Sequence, residues 1–425
     1  MTSAQTIVVF EHEKYYFTEE QKRIKLDEAL EKYYGDYSPF FKLIRGGVKF
    51  NQHVGVLKVG KTTIEVLPKA DGNDKDTWRQ LLIDMIKTVW GFDIKVSSSA
   101  DLKLKSNSIL DLYFELYTKE LEYLLHRGLI KRYNKKEGNL YALKGALQFS
   151  KHISQNLVHQ ERFYVKYSNY DINHKVHCIL YKALKLINQT NNRPDLKSRI
   201  GALLLNFPEM NDLKITESTF DNIVYDRKNL HYEKALQIAK LLLLNYHPDV
   251  SKGRDHVLAL MFDMNRLWEQ FVYVVLKREL KVTDFKVRSQ VSKEFWRSET
   301  GTKSRMKPDI VLESRDNTIV LDTKWKNLYD GGPSSEDLRQ MYAYHHYYKA
   351  SKTALIYPGE EEKLIKGKYS PIHGDSNISD NTCGIAFIST HTDVVVWKKN
   401  IVSFIKENFL KDILKNEFDN TGSHT

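Results

Sequence analysis

Three ionisable side chains stand within two short runs of strand-forming residues between Lys307 and Lys326. The first run is Lys307-Pro-Asp-Ile-Val-Leu312 and the second is Ile319-Val-Leu-Asp-Thr-Lys-Trp-Lys326. Strand side chains alternate between faces. In the second run Asp322 and Lys324 therefore share a face with Val320, while Ile319, Leu321, Thr323 and Trp325 take the other. Asp309 opens the first run, and the polar Glu313-Ser-Arg-Asp-Asn317 segment predicts a hairpin turn between the two. Folded in this way, Asp309, Asp322 and Lys324 converge on one point. Burying unpaired charge is costly, so a strand pair carrying three charges invites a functional reading. Two carboxylates fixed side by side make a hard-oxygen site for Mg²⁺ or Mn²⁺, which keeps waters and takes substrate phosphate. The Thr323 carbonyl is expected as a further ligand. A lysine beside such an ion orients or helps deprotonate the attacking water and stabilises charge on a phosphate. The plain alternative is an ordinary hairpin with an edge salt bridge.

Two flanking segments have the pattern of helices that would position this hairpin. Upstream, in Asp263-Met-Asn-Arg-Leu-Trp-Glu-Gln-Phe-Val-Tyr-Val-Val-Leu276, Leu267, Phe271, Val274 and Val275 follow helical spacing. Asp263 is placed as its N-cap, and Glu269 lies on a flanking face. Downstream, Ser334 and Asp337 have the spacing of a capping-box variant. Gln340 and Tyr344 are four apart and share one face of that helix.

The pattern Pro-Asp…Asp-X-Lys, with these two helices, resembles the PD-(D/E)XK nuclease superfamily in the variant with Asp as second acid. Within it, the chain resembles the McrC family, the nuclease subunits of McrBC-type restriction systems. The residues that carry this are Met264-Asn-Arg-Leu-Trp-Glu269, Lys307-Pro-Asp309, Leu321-Asp-Thr-Lys-Trp-Lys326 and Gln340-Met-Tyr-Ala-Tyr344. Weaker echoes are Ile64-Glu-Val-Leu-Pro-Lys69, Gly128-Leu-Ile-Lys-Arg-Tyr133, Leu143-Lys-Gly145 and Tyr225-Asp-Arg-Lys-Asn-Leu-His-Tyr232. The resemblance implies a metal-dependent endodeoxyribonuclease defending a prokaryotic cytoplasm against foreign or 5-methylcytosine-bearing DNA, such as that of phage. It implies a partner too, a McrB-like AAA+ GTPase hexamer that the amino-terminal part engages and stimulates. In the superfamily a preceding helix brings a glutamate to the metal, which makes Glu269 the third acid. A Gln-X-X-X-Tyr helix supports the site or touches DNA, which gives that place to Gln340 and Tyr344.

Charge agrees with a polyanionic partner. The 425 residues carry a formal net charge of +11, and nucleic acid is the commonest such partner. Arg288, Lys293, Arg297, Lys303, Arg305 and Lys307 lead into the hairpin and Lys326 leaves it, so these are the expected DNA contacts. A composition of 41% hydrophobic and 28% charged residues excludes wholesale disorder. The two cysteines, Cys178 and Cys383, are far apart and suggest neither zinc nor a disulfide framework. No apolar run has the length of a membrane span, and the amino terminus lacks a signal-peptide layout.

The expected fold class is multidomain α+β, without internal repeats. Residues 1–100 read as a β-rich partner-docking domain, 101–250 as mainly helical, and 255–425 as a restriction-endonuclease-like α/β domain with a mixed sheet flanked by helices. Expected strands include Ile7–Phe10, Val54–Val59, Thr62–Leu67, Thr353–Tyr357, Gly384–Ile388 and Val394–Trp397, with a last helix from Ile401 to Leu414. Gly55-Val-Leu-Lys-Val-Gly-Lys-Thr62 satisfies the Walker A pattern. However, a β-branched run closed by Pro68 follows it where a phosphate loop needs a helix. The segment is expected to be a hairpin, with no nucleotide site. Two rivals remain: a non-catalytic DNA-binding adaptor of an AAA+ ring, and a nucleotide hydrolase using this segment.

Overall fold

The computed structural model describes residues 5–23, 26–34, 40–60, 62–68, 75–89, 109–191, 193–247, 257–283, 285–315, 317–326, 332–370, 382–391 and 393–411. Contacts divide the chain into two compact units, one of Met1–Leu104 with Met261–Thr425 and one of Lys105–Leu260. Segment 1–100, expected to be a domain of its own, thus shares a unit with the carboxy-terminal segment.

The centre of the first unit is a six-stranded sheet in the order Lys286–Ser289, Ile310–Glu313, Thr318–Thr323, Lys352–Gly359, Thr382–Ser389, Lys363–Lys368. The first three strands run antiparallel, the third to fifth are parallel, and the last is antiparallel. Ile310–Glu313, Thr318–Thr323 and Lys352–Gly359 are buried along nearly their whole length, as strands covered on both faces must be, and Thr382–Ser389 is half-buried at alternate positions. Ser314 N donates to Asn317 O at 2.9 Å, which closes the expected hairpin. The Ser335–Tyr348 helix forms the crossover between two parallel strands. Its Met341, Tyr344 and Tyr348 pack with Val311, Val320, Leu355 and Tyr357.

A tryptophan cluster joins the two sequence-distant parts of this unit. Trp268, on the Met264–Glu279 helix, stacks on Trp397 at 5.5 Å and meets Trp325 at 5.6 Å. Trp325 in turn meets Trp78 of the Lys75–Val89 helix at 6.3 Å. The Trp325 indole N–H donates to the buried Glu11 Oε1 at 2.9 Å, and Met264 N donates to Gln52 O at 3.0 Å. Gln5–Phe10 pairs parallel with Thr62–Leu67, and His53–Val59 pairs antiparallel with it from Gly55↔Val66 to Val59↔Thr62. The Walker-like segment is therefore a hairpin; Lys61 itself lies outside the described residues.

The expected strand Val394–Trp397 is instead the start of a helix, Val394–Ile405, and the expected helix from Ile401 is its continuation. Three valines in a row favour a strand. Asp393 overrides them by accepting a bond from Val395 N at 2.7 Å, and Trp397, Ile401, Val402 and Ile405 bury one helical face. Residues 412–425, which include the end of that expected helix and a terminus expected to fray, lie outside the described residues.

The second unit is mainly helical as expected, with the helices Ile109–Arg127, Lys175–Thr190, Pro194–Asn206 and Glu233–Leu244 among its elements. It also has a three-stranded sheet the periodicity did not announce, with Arg132–Leu140 against Phe163–Asp171 and then Ala146–Leu147. Both faces of the Arg132–Leu140 strand are largely open to solvent, so its sequence carries no apolar alternation.

Candidate active site

The hairpin register sets the geometry. Ile310 pairs with Leu321 and Val311 with Val320. One further step places Asp309 across from Asp322, and directly opposed residues share a face. Asp309 Oδ2 accepts from Thr323 N at 2.7 Å and from Thr323 Oγ1 at 2.8 Å. Asp322 is 2% exposed, and its Oδ2 lies 2.7 Å from Lys324 Nζ. The expected trio of Asp309, Asp322 and Lys324 is thus assembled.

Glu269 is buried on the Met264–Glu279 helix, which Asp263 caps by accepting from Arg266 N at 3.2 Å. Its Oε1 accepts from Gln290 Nε2 at 2.5 Å. Gln290 stands in the left-handed region at φ 54°, and its backbone N–H donates to Asp309 O at 3.0 Å. On the other side, Ser334 caps the Ser335–Tyr348 helix by accepting from Asp337 N at 3.1 Å. From that helix Gln340 Nε2 donates to the Tyr344 hydroxyl at 2.7 Å. Asp337 Oδ2 accepts from Lys326 Nζ at 2.8 Å, and its Oδ1 lies 3.7 Å from Lys324 Nζ.

Gln290 was not singled out from sequence, and Asp337 only for its place in a helix cap. Asp337 carried a local signal as a helix-capping acid, but its reach to Lys324 exists only once helix and strand have packed. Gln290 carried none, since a left-handed backbone at a non-glycine residue has no compositional mark here.

The electrostatics follow from burial. Desolvation, with Asp309 adding repulsion and Lys324 opposing both, pushes the Asp322 carboxyl up to about 6. Burial and then Glu269 raise Asp309. Burial raises Glu269 as well, against the Gln290 hydrogen bond. Burial also raises the Tyr344 phenol, with the Asp322 charge next. For Lys324 burial favours the neutral amine, yet Asp322, Asp337 and Asp309 outweigh it and hold the group above the ordinary lysine value. It is a cation, suited to placing a phosphate oxygen or a water rather than taking a proton. The lowered Asp337 carboxyl has burial against it and Lys326, Ser334 and Lys324 in its favour.

Among the described residues no three His, Cys, Asp or Glu side chains draw close enough to hold an ion between them. The expected shell of Asp309, Asp322 and Glu269 is therefore not closed: Gln290 engages Glu269, and Thr323 engages Asp309. What stands together is a pair of carboxylates at opposed strand positions. That donor set fits Mg²⁺, which binds through one or two carboxylates and retains waters.

The expected DNA contacts do not form one unpaired face. Arg288 pairs with Glu313 at 3.3 Å, Arg297 and Lys303 both pair with Glu294 at 2.7 and 3.3 Å, and Lys326 pairs with Asp337. Lys293 Nζ donates to Tyr347 O at 2.9 Å, Arg305 Nε donates to Ser292 Oγ at 2.7 Å, and Lys307 is exposed.

The site is thus a mixed sheet whose hairpin gathers two opposed carboxylates and a lysine, between two capped helices. The model of the family described as "McrBC 5-methylcytosine restriction system component" matches residues 48–358. No curated protein matches the chain. Among solved structures, a chain of the Thermococcus gammatolerans assembly of McrB AAA+ hexamers with bound McrC shares this fold at TM-score 0.66. The two are 19% identical, over 95% of this chain and 100% of that one. A chain of the cryo-EM structure of the Thermococcus gammatolerans McrBC complex matches at TM-score 0.49 and 20% identity, over 67% and 90%. The chain belongs to the family of McrBC 5-methylcytosine restriction system components, and the resemblance read from its motifs is borne out. Among the described residues no helix is long and apolar enough to cross a membrane.

Proposed function

We propose that this chain is the metal-dependent DNA endonuclease subunit of a McrBC-like restriction system, with a PD-(D/E)XK site and a GTP-hydrolysing AAA+ hexamer as partner. The observation that carries the reading is the pair of a half-buried Asp309 and a buried Asp322 across one hairpin, with Lys324 ion-paired beside them. Buried like charges are retained at a cost, and shifted carboxyls in such a cluster mark a functional site. Family membership supplies the setting, and the Thermococcus assembly, described as McrB hexamers with bound McrC, supplies the kind of partner.

Asp309 and Asp322 would hold Mg²⁺ or Mn²⁺, with the Thr323 carbonyl and Glu269 in support. Bound there, the ion would polarise the scissile phosphate and acidify a water. Lys324 keeps its charge through Asp322 and Asp337 and offers it to a phosphate oxygen or the water. Gln290 fixes Glu269, and the Gln340–Tyr344 pair presents a hydroxyl towards the acids. The reaction belongs to a prokaryotic cytoplasm, against foreign or phage DNA.

The test is cleavage of duplex DNA with the cognate partner, GTP and Mg²⁺. Asp322→Asn and Lys324→Ala should each slow cutting by at least about a hundredfold while the fold is retained. Folded variants that cut as fast as the parent would refute the assignment. The open acid shell favours one rival, an adaptor that only holds DNA; a chain that binds no Mg²⁺ or Mn²⁺ even with DNA present would support it.

A further inference from the structure

Between Ser289 and Ile310, which pair directly, the chain leaves the sheet and returns as a two-stranded ribbon, Lys293–Arg297 against Lys303–Met306. Its residues are exposed on both faces, apart from a half-buried Met306. An isolated hairpin of this size is marginal in water, yet this one is anchored. Tyr348 places its hydroxyl 2.6 Å from Val291 O and 3.0 Å from Met306 O, gripping both legs at the root. Lys293 Nζ sits 4.6 Å from the Tyr348 ring centroid, and Phe295 meets Tyr347 edge-on at 5.2 Å. The legs spring from the site itself: the residue before Val291 is Gln290, which bonds Glu269 and Asp309, and the residue three beyond Met306 is Asp309.

A register shift between Glu294 and Trp296 marks a bulge, a device that re-aims side chains beside functional sites. Trp296 is left 55% exposed. Around it stand Lys293, Arg297, Lys303, Arg305 and Lys307 against Glu294 and Glu299. The ion pairs with Glu294 are exposed, hence weak, and phosphates can compete for their cations.

We propose that this ribbon is the duplex-binding element of the chain: it enters a groove of the DNA whose backbone lies at Asp309 and Asp322, and Trp296 packs on the nucleotides there. The inference rests on the nuclease reading for the choice of partner. Cationic excess complements phosphates, the major groove admits a two-stranded ribbon, and an exposed indole can make apolar contact with base edges there. Each leg extends about 15 Å at strand rise, so the root and the groove fit one duplex.

The experiment is fluorescence anisotropy of a labelled 40-base-pair duplex with the full chain, in EDTA and across a salt series. Without divalent ions no cleavage enters the readout, so failure of the nuclease reading and failure of this one are separate results. Trp296→Ala should weaken binding about tenfold with the salt slope unchanged, and Trp296→Phe should restore most of it. The double variant Lys303→Gln with Arg305→Gln should lower the salt slope by about 2. Parental binding by both Trp296→Ala and the double variant overturns the proposal. So does a parent that binds no duplex, or a Trp296→Ala loss confined to association with the partner protein.

Discussion

Asp322 shows how much one side chain can report. Its carboxyl is 2% exposed, 2.7 Å from a lysine, and still raised because burial and Asp309 act together. A divalent cation is the ligand that relieves such repulsion, and a ligand bound only by the folded state stabilises it by mass action. Mg²⁺ or Mn²⁺ at ten times its dissociation constant should therefore stabilise the parent by about 1.4 kcal/mol, seen as a raised unfolding midpoint. Asp322→Asn should lose that gain; an equal gain in both would exclude Asp322 as a ligand. At this scale the sequence was highly informative, because period-two alternation alone puts Asp322 with Lys324 and the hairpin register adds Asp309. It was silent on Gln290 and read Asp337 only as a helix cap, because their partners in the site lie on other elements.

Elements are held by contacts that only packing reveals. Trp325 follows the Asp-X-Lys motif and spends its indole N–H on Glu11, 314 residues away in sequence. Trp325→Phe keeps the ring in the tryptophan cluster but removes a donor from a buried carboxylate, and should cost about 1.5–3 kcal/mol in chemical denaturation. An effect below about 0.5 kcal/mol would show the bond to be incidental.

In the Lys175–Thr190 helix, His177 Nδ1 donates to Ile172 O at 2.6 Å and its Nε2 meets the Tyr232 hydroxyl at 3.1 Å, with the His174 ring 4.0 Å away. Burial, then the His174 charge, lowers its pKa from 6.5 to about 4. A lowered histidine favours the neutral fold, so its contribution is complete above pH 6.5 and is lost as pH falls towards 4. Relative to His177→Gln, the parent should lose up to about 3 kcal/mol over that window; parallel stability curves would refute this. Legibility here was uneven. Asp263 and Ser334 declared their helices, whereas the Val394-Val-Val run hid a helix that Asp393 begins, and the exposed Arg132–Leu140 strand had no buried face to pattern it.

The whole molecule departs from a reading made segment by segment. Segment 1–100 looked separable because its strands and glycine turns contrast with the helices after it, but contacts fold it together with 261–425. A fragment of residues 255–425 should consequently lack a cooperative thermal transition and near-ultraviolet circular dichroism, since Trp325 would lose Trp78 and Glu11. A fragment that melts cooperatively would show the carboxy-terminal part to be self-sufficient.

One unit of this protein is thus written in two instalments, with Lys105–Leu260 emerging from the ribosome in between. At roughly 5–20 residues per second, Glu11 waits on the order of 15–60 s for Trp325. The interposed unit has all its own contacts first and can be complete while Glu11 and Trp78 still lack Trp325. Synthesis order therefore delays the acidic pair until about three quarters of the chain exists, so a product truncated before it would carry the earlier parts without that pair.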